Sequence, residues 1–338
     1  MACALFWGSA VSTSWARINA LETIETYGFA VHQQLLYNFA VHGDFFQTIH
    51  MGYDDAWTWS GHRALTLPVV AWMVGFTKGI HGLGIISAFL VSTGAFWSGL
   101  LARQRMGTWG MVLGVGLFVL SPCAMVIAVQ DYQDLSLALP ALLFCMWALG
   151  TQKLWLVFLG VLVGMSPREE CVALVWCVAV LFSPQDDQWA GIKRNLFCCF
   201  VVTLVVVGGA EWLYPFQNSG HDMPLQNAIR TLRQGTVFLT GWPYLERFYL
   251  LIWVPLGLLA CLSPLVAGPA LVLSFLHMTV PEGHGVDRSW SQHSHHMAPA
   301  VAFAISASIC GAARIWRWSR RFQANALGRV IRVVFWVI

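Results

Sequence analysis

The stretch Ser166-Pro167-Arg168-Glu169-Glu170 cuts an apolar run, Leu154 to Phe182, in half. The flanks Leu154–Met165 and Cys171–Phe182 carry no charged residue. A charge at the centre of a membrane helix costs roughly 2.5–3.5 kcal/mol on insertion scales, so such residues are rare and usually face a polar cavity. Pro167 has no N–H to continue a helix, so the run must break there. Two short spans meeting at a charged turn read as the wall of a membrane-embedded polar site. Arg168 can satisfy one of the carboxylates of Glu169 and Glu170 and leaves the other over. That spare acid beside a guanidinium suits a phosphate, a cation or a hydroxyl nucleophile. The alternative is a self-neutralised cluster that tolerates burial.

The whole chain agrees with a membrane setting. Of its 338 residues 57% are hydrophobic and only 10% charged, with mean hydropathy +0.63. A soluble domain carries about 25% charged residues. The net charge of +3 is small and sits in loops, so nucleic acid is not an expected partner; membrane lipids are. Nine cysteines lie in or beside apolar runs without a CxxC pair, and they read as small buried hydrophobes. Eighteen tryptophans suit aromatic belts at the membrane surfaces.

The fold expected is all-α: a polytopic transmembrane helical bundle forming one domain, 1–338. A span needs about 20 apolar residues. About ten are read, near 1–18, 83–101, 109–128, 135–150, 154–167, 170–182, 195–212, 248–263, 265–280 and 297–313. The first reads as a span and not a signal peptide, because it lacks a basic start and a cleavage site. Arg103, Arg105, Lys153, Lys193, Arg194, Arg314, Arg317, Arg320 and Arg321 all fall on one side, which the positive-inside rule makes cytoplasmic. Arg17, after the first span, dissents. The outer face then receives 19–82, 129–134, the Arg168 turn, 213–247 and 281–296, and the basic tail 314–338 is cytoplasmic. The apolar segment His62 to Lys78 reads as an interfacial or re-entrant helix, with Pro68 near its start. Leu225 to Phe238 reads as another surface helix, and 322–338 either lies on the membrane or begins a further span.

The outer segments hold nearly all the acids and histidines, so chemistry is expected there. Gln130-Asp131-Tyr132-Gln133-Asp134 puts two carboxylates around a tyrosine at a membrane boundary. Asp134, just before Leu135-Ser136-Leu137, fits a helix start; Asp131 fits that role less well. Tyr53-Asp54-Asp55 pairs carboxylates that could hold a divalent cation or act as a base, or form a plain exposed acidic turn. His284, His293, His295 and His296 with Glu282 and Asp287 lack the spacing of a defined zinc motif, so no metal site is assigned. His295 and His296 instead suit hydrogen bonds to a phosphate or hydroxyl in an outer cavity. No phosphate loop, GxSxG elbow or GxGxxG turn is present. A transporter remains an alternative, weakened because no matching broken span recurs in another half.

Four segments in order resemble the membrane family called domain of unknown function 2079, grouped with the GT-C glycosyltransferases. They are Tyr27-Gly28-Phe29-Ala30-Val31-His32-Gln33-Gln34-Leu35-Leu36-Tyr37-Asn38, Gly61-His62-Arg63-Ala64-Leu65-Thr66-Leu67-Pro68, Asp131-Tyr132-Gln133-Asp134-Leu135-Ser136-Leu137-Ala138-Leu139-Pro140, and Arg168-Glu169-Glu170. His295-His296 ahead of Pro299 adds a faint echo. The resemblance implies a GT-C-like fold with interfacial helices in the first outer loop. It implies transfer of a sugar from a polyprenyl-phosphate carrier to an acceptor outside the membrane. On that reading Asp131, Glu169, Asp54 and Asp55 are the candidate catalytic acids. Arg168, Glu170, His62, Arg63, Gln33, Gln34, Tyr132, His295 and His296 would bind carrier or acceptor, and no cofactor is required beyond a divalent cation if one is used. Gly28 and Gln33 stand where the resemblance implies acids. That departure keeps a second reading open, a non-catalytic subunit working with partner membrane chains.

Overall fold

The computed structural model describes residues 1–19, 33–34, 36–39, 41–42, 65–77, 80–129, 132, 134–168, 170–182, 188–213, 256, 259–278 and 297–321. These residues are about 91% helical and contain no strand, which makes the described chain all-α. The helices are α1 Ala2–Asn19, α2 Leu67–Thr77, α3 Ile80–Met106, α4 Thr108–Val119, α5 Pro122–Val129, α6 Ala138–Leu149, α7 Leu154–Met165, α8 Glu170–Leu181, α9 Gln188–Leu213, α10 Pro264–Met278 and α11 Ala298–Arg321. Two 3-10 turns, Asp134–Leu137 and Leu259–Leu262, precede α6 and α10.

Three of these helices, α3, α9 and α11, are long and apolar enough to cross a membrane. A fourth crossing is made if α4 and α5 count as one bent span. The run 109–128 therefore differs from the single straight span read from hydropathy: it bends by 60°. The cause is local. Gly116 O and Phe118 O accept from Leu120 N and Ser121 N, which closes α4. Ser121 then restarts the chain, its Oγ accepting from Ala124 N at 3.4 Å, and Pro122 occupies the first helical position. The break at 166–170 is as the sequence predicts. Ser166 Oγ closes α7 by donating to Val163 O (2.8 Å), and α8 begins at Glu170. Each arm has 12 residues, hence about 18 Å of helix against about 30 Å of hydrocarbon. The arms pack on each other. A Cβ at Gly164 would sit 2.8 Å from Val175 Cγ2 and 3.0 Å from Cys145 Cβ, so α7, α8 and α6 meet closely there.

Of the segment 62–78, Leu67–Thr77 forms the helix α2, which starts at Leu67-Pro68. Leu67, Val70, Ala71 and Val74 are buried on one face while Val69 and Trp72 are exposed. The Leu225–Phe238 helix, the tail 322–338 and most of the span 248–263 lie outside the described residues.

Small residues let the helices approach. Gly107, at φ +77, turns α3 into α4 in a conformation that suits glycine. A Cβ at Gly110 would strike Ala102 O, and one at Gly114 would strike Ser98 O. Ser98 Oγ in turn donates to Gly114 O at 2.9 Å. Helix α11 runs through the centre, 83% of its apolar window buried, and packs on α3, α6 and α10. Helix α9, only 33% buried, is peripheral. Apart from Arg17 and Arg168, the described cations gather at one end. Arg105 lies over the Phe182 ring (5.7 Å), and Arg194 donates to Leu149 O (3.0 Å). Asn195 Nδ2 donates to Phe182 O at 2.9 Å, tying the ends of α6, α8 and α9 together. All nine cysteines are free thiols; five are fully buried, and Cys177 and Cys261 are exposed.

Candidate site opposite the basic end

At the other end of the bundle the described residues form a second buried cluster. Leu36, Leu67, Val70, Leu83, Ile86, Tyr132 and Leu137 form one buried cluster, separate from the main core. It joins the short helical stretch 36–39, α2, the first turns of α3 and the 3-10 turn. Three of the four quoted segments thus contribute to a single cluster.

Tyr132 lies in the connector between α5 and the 3-10 turn and is fully buried. Its hydroxyl donates to Asp134 Oδ1 at 3.0 Å. Burial, then the Asp134 charge and that hydrogen bond, push the phenol well above the ordinary tyrosine range; Thr66 pulls in the opposite direction. Thr66 therefore lies near the phenol, although its own Oγ1, buried, has no well-aligned hydrogen bond. Asp134 is 5% exposed. It opens the 3-10 turn, as its place before Leu135 predicts, and it also serves as a buried acceptor. Ser136 Oγ and Gln33 Oε1 are buried with no hydrogen-bond partner. Gln33 stands three residues before Leu36 in the sequence.

Arg17 explains its dissent from the other cations. Its Nη1 donates to Val129 O at 2.7 Å, closing the C-terminal end of α5, and Ser14 Oγ reaches the same oxygen at 3.4 Å. A cation at a helix C-terminus is favoured by the exposed carbonyls and the helix dipole. Trp15 stacks on His81 at 3.9 Å between ring centroids, so the end of α1 and the start of α3 share this face.

Of the residues expected in the site, Tyr132 belongs to this cluster, and Gln33 and Gln34 are half-buried. Arg168 is buried, 7% exposed, in the turn between α7 and α8. Glu170 opens α8. Asp131, Glu169, Asp54, Asp55, His62, Arg63, His295 and His296 lie outside the described residues. Sequence reasoning did not select Asp134, Thr66 or Arg17 for the site. The signal for Arg17 was its breach of the charge rule; for Thr66 and Asp134 only the folded geometry shows the pairing.

No curated protein and no solved structure matches this chain. One family does, under the description "Predicted membrane protein (DUF2079)", and it covers residues 20–338 with all four quoted segments inside the match. A match of that extent, on a chain whose described part is apolar and helical, means that the protein belongs to the DUF2079 family of predicted membrane proteins.

Proposed function

We propose that the chain is a GT-C-type membrane glycosyltransferase that moves a sugar from a polyprenyl-phosphate carrier to an acceptor. On this reading about ten spans enclose the bundle and the basic helix ends face the cytoplasm. The site then opens on the outer side of a plasma membrane. The observation that carries the reading is the meeting of Leu36 and Phe39, helix α2, and Tyr132 with the 3-10 turn in one buried cluster beside the Tyr132–Asp134 pair. Sugar transfer needs a base within about 2.6–3.2 Å of the attacking hydroxyl and cations for the carrier phosphate. Asp131 and Glu169 fit the first role and Arg168, His62 and Arg63 the second.

A second reading, a non-catalytic subunit on the same frame, is favoured by Gln33. Its amide stands where an acid is implied, and its Oε1 is buried without a partner.

Native mass spectrometry of the purified chain with polyprenyl phosphate separates the two. The transferase reading predicts retained carrier on wild type, loss in Arg168→Ala and partial retention in Arg168→Lys, which keeps the charge. A folded wild type that retains no carrier supports the subunit reading.

A further inference from the structure

The basic end of the bundle takes no part in that site and has its own chemistry. Cys310, Arg314 and Arg317 lie at i, i+4 and i+7 on α11 and so form one stripe. Helix α3 packs on α11, and both end in basic residues on this side of the bundle, Arg105 on α3 and Arg314 and Arg317 on α11. Two of these cations are held by bundle groups. Arg314 Nη1 donates to Leu262 O at 2.6 Å, and Arg105 lies over Phe182. Arg314 and Arg317 are exposed, so a ligand can reach them.

Three arginines from two packed helices therefore stand at one end of the bundle. The carboxylates among the described residues are Asp134, Glu170 and Glu211, and each belongs to a segment end away from it. Like charges so placed repel one another, and a bound anion reverses the sign of that interaction. The depth is marked independently. Trp109, Trp155, Trp189 and Trp318 are 58%, 62%, 74% and 55% exposed, and each lies at the end of its helix on this side. Exposed tryptophans at matching helix ends form the belt that sits at headgroup level. Guanidinium groups bind phosphate oxygens in a fork that an ammonium cannot copy.

We propose that Arg105, Arg314 and Arg317 bind the phosphate of an anionic phospholipid headgroup at the basic end of the bundle. The lipid belongs to the leaflet that the tryptophan belt marks. This site is independent of the sugar-transfer reading.

The test uses the full chain in nanodiscs of equal phosphatidylglycerol and phosphatidylcholine, followed by native mass spectrometry of retained lipid. Wild type is expected to keep phosphatidylglycerol in preference to phosphatidylcholine. Arg317→Gln is expected to cut that retention by about tenfold. Arg320→Gln is the control, because its guanidinium lies over Trp316 at 5.4 Å on a neighbouring stripe, and it should retain lipid as wild type does. Equal retention of the two lipids by wild type overturns the proposal. So does equal loss in both variants, which would mean a diffuse basic surface. Displacement of the lipid by inorganic phosphate would assign the spot to the free ion and overturn it too.

Discussion

The Tyr132 hydroxyl donates to Asp134 Oδ1 across 3.0 Å, with both side chains buried where α2, α3 and the 3-10 turn meet. Removing only the donor is the sharpest probe of this pair. Tyr132→Phe keeps the ring and leaves a buried acceptor short of a partner, a loss of about 1–3 kcal/mol. Thermal melting in detergent should show a lower midpoint for Tyr132→Phe and a smaller change for Asp134→Asn, which still accepts the bond.

The same phenol gives a pH signature. Its acidity in the folded chain is weakened by burial first and Asp134 second. An unfolded tyrosine deprotonates near pH 10, about its ordinary value. Above that pH the unfolded chain binds fewer protons than the folded one, so stability falls as pH rises. The Tyr132 contribution is complete below about pH 10 and is lost above it. Wild type should therefore lose more stability than Tyr132→Phe between neutral pH and the alkaline limit, and parallel melting curves for the two would contradict the assignment.

Close helix packing predicts a contrast between two glycines of α4. A methyl at Gly114 meets Ser98 O, a backbone atom that cannot move aside alone, whereas Gly116 has nothing within 4 Å. Gly114→Ala should cost about 1–3 kcal/mol. Gly116→Ala should be neutral or slightly stabilising, since alanine is the better helix former. Melting of the two variants side by side reads the difference.

Asn195 and Arg194 together fasten three helix ends: Arg194 donates to Leu149 O (3.0 Å) and to Asn195 Oδ1 (2.9 Å), and Asn195 donates to Phe182 O (2.9 Å). Asn195→Ala strands a buried carbonyl and should cost about 1–3 kcal/mol. Hydrogen exchange should then rise first at the end of α8 and the start of α9, and an unchanged exchange pattern would count against this fastening.

Orientation follows from the cations. Alkaline phosphatase fused after Gly107, beside Arg103 and Arg105, should be inactive because it stays in the cytoplasm. Fused after Asp131, beyond the α5 end that Arg17 closes, it should be active. The reverse pattern would invert the bundle and place the candidate site on the cytoplasmic side.

The broken span at Ser166–Glu170 was legible because proline and three adjacent charges leave an apolar run no continuous helix to form. The bend at Ser121-Pro122 was written in the same residue type, yet a hydropathy window averages over it: one serine and one proline barely lower the mean. Helix α11 continues past the apolar segment to Arg321, because a helix outside the hydrocarbon needs propensity rather than apolarity. The nearness of Tyr132, Asp134 and Thr66 was not legible. Tyr132 and Asp134 sit in a stretch without helical period, and Thr66 is far along the chain, so their meeting depends on how α2 and α3 dock. Arg17 lay between these cases: its breach of the charge rule was visible, and its reason, the open carbonyls of α5, was not.

The most direct test of a carrier site at the end opposite the basic one is photocrosslinking with a diazirine-bearing polyprenyl phosphate, mapped by peptide mass spectrometry. The account predicts adducts within 129–140 and 166–172, competed by unlabelled polyprenyl phosphate. Adducts confined to the outer faces of α4 and α9, with no competition, would contradict it.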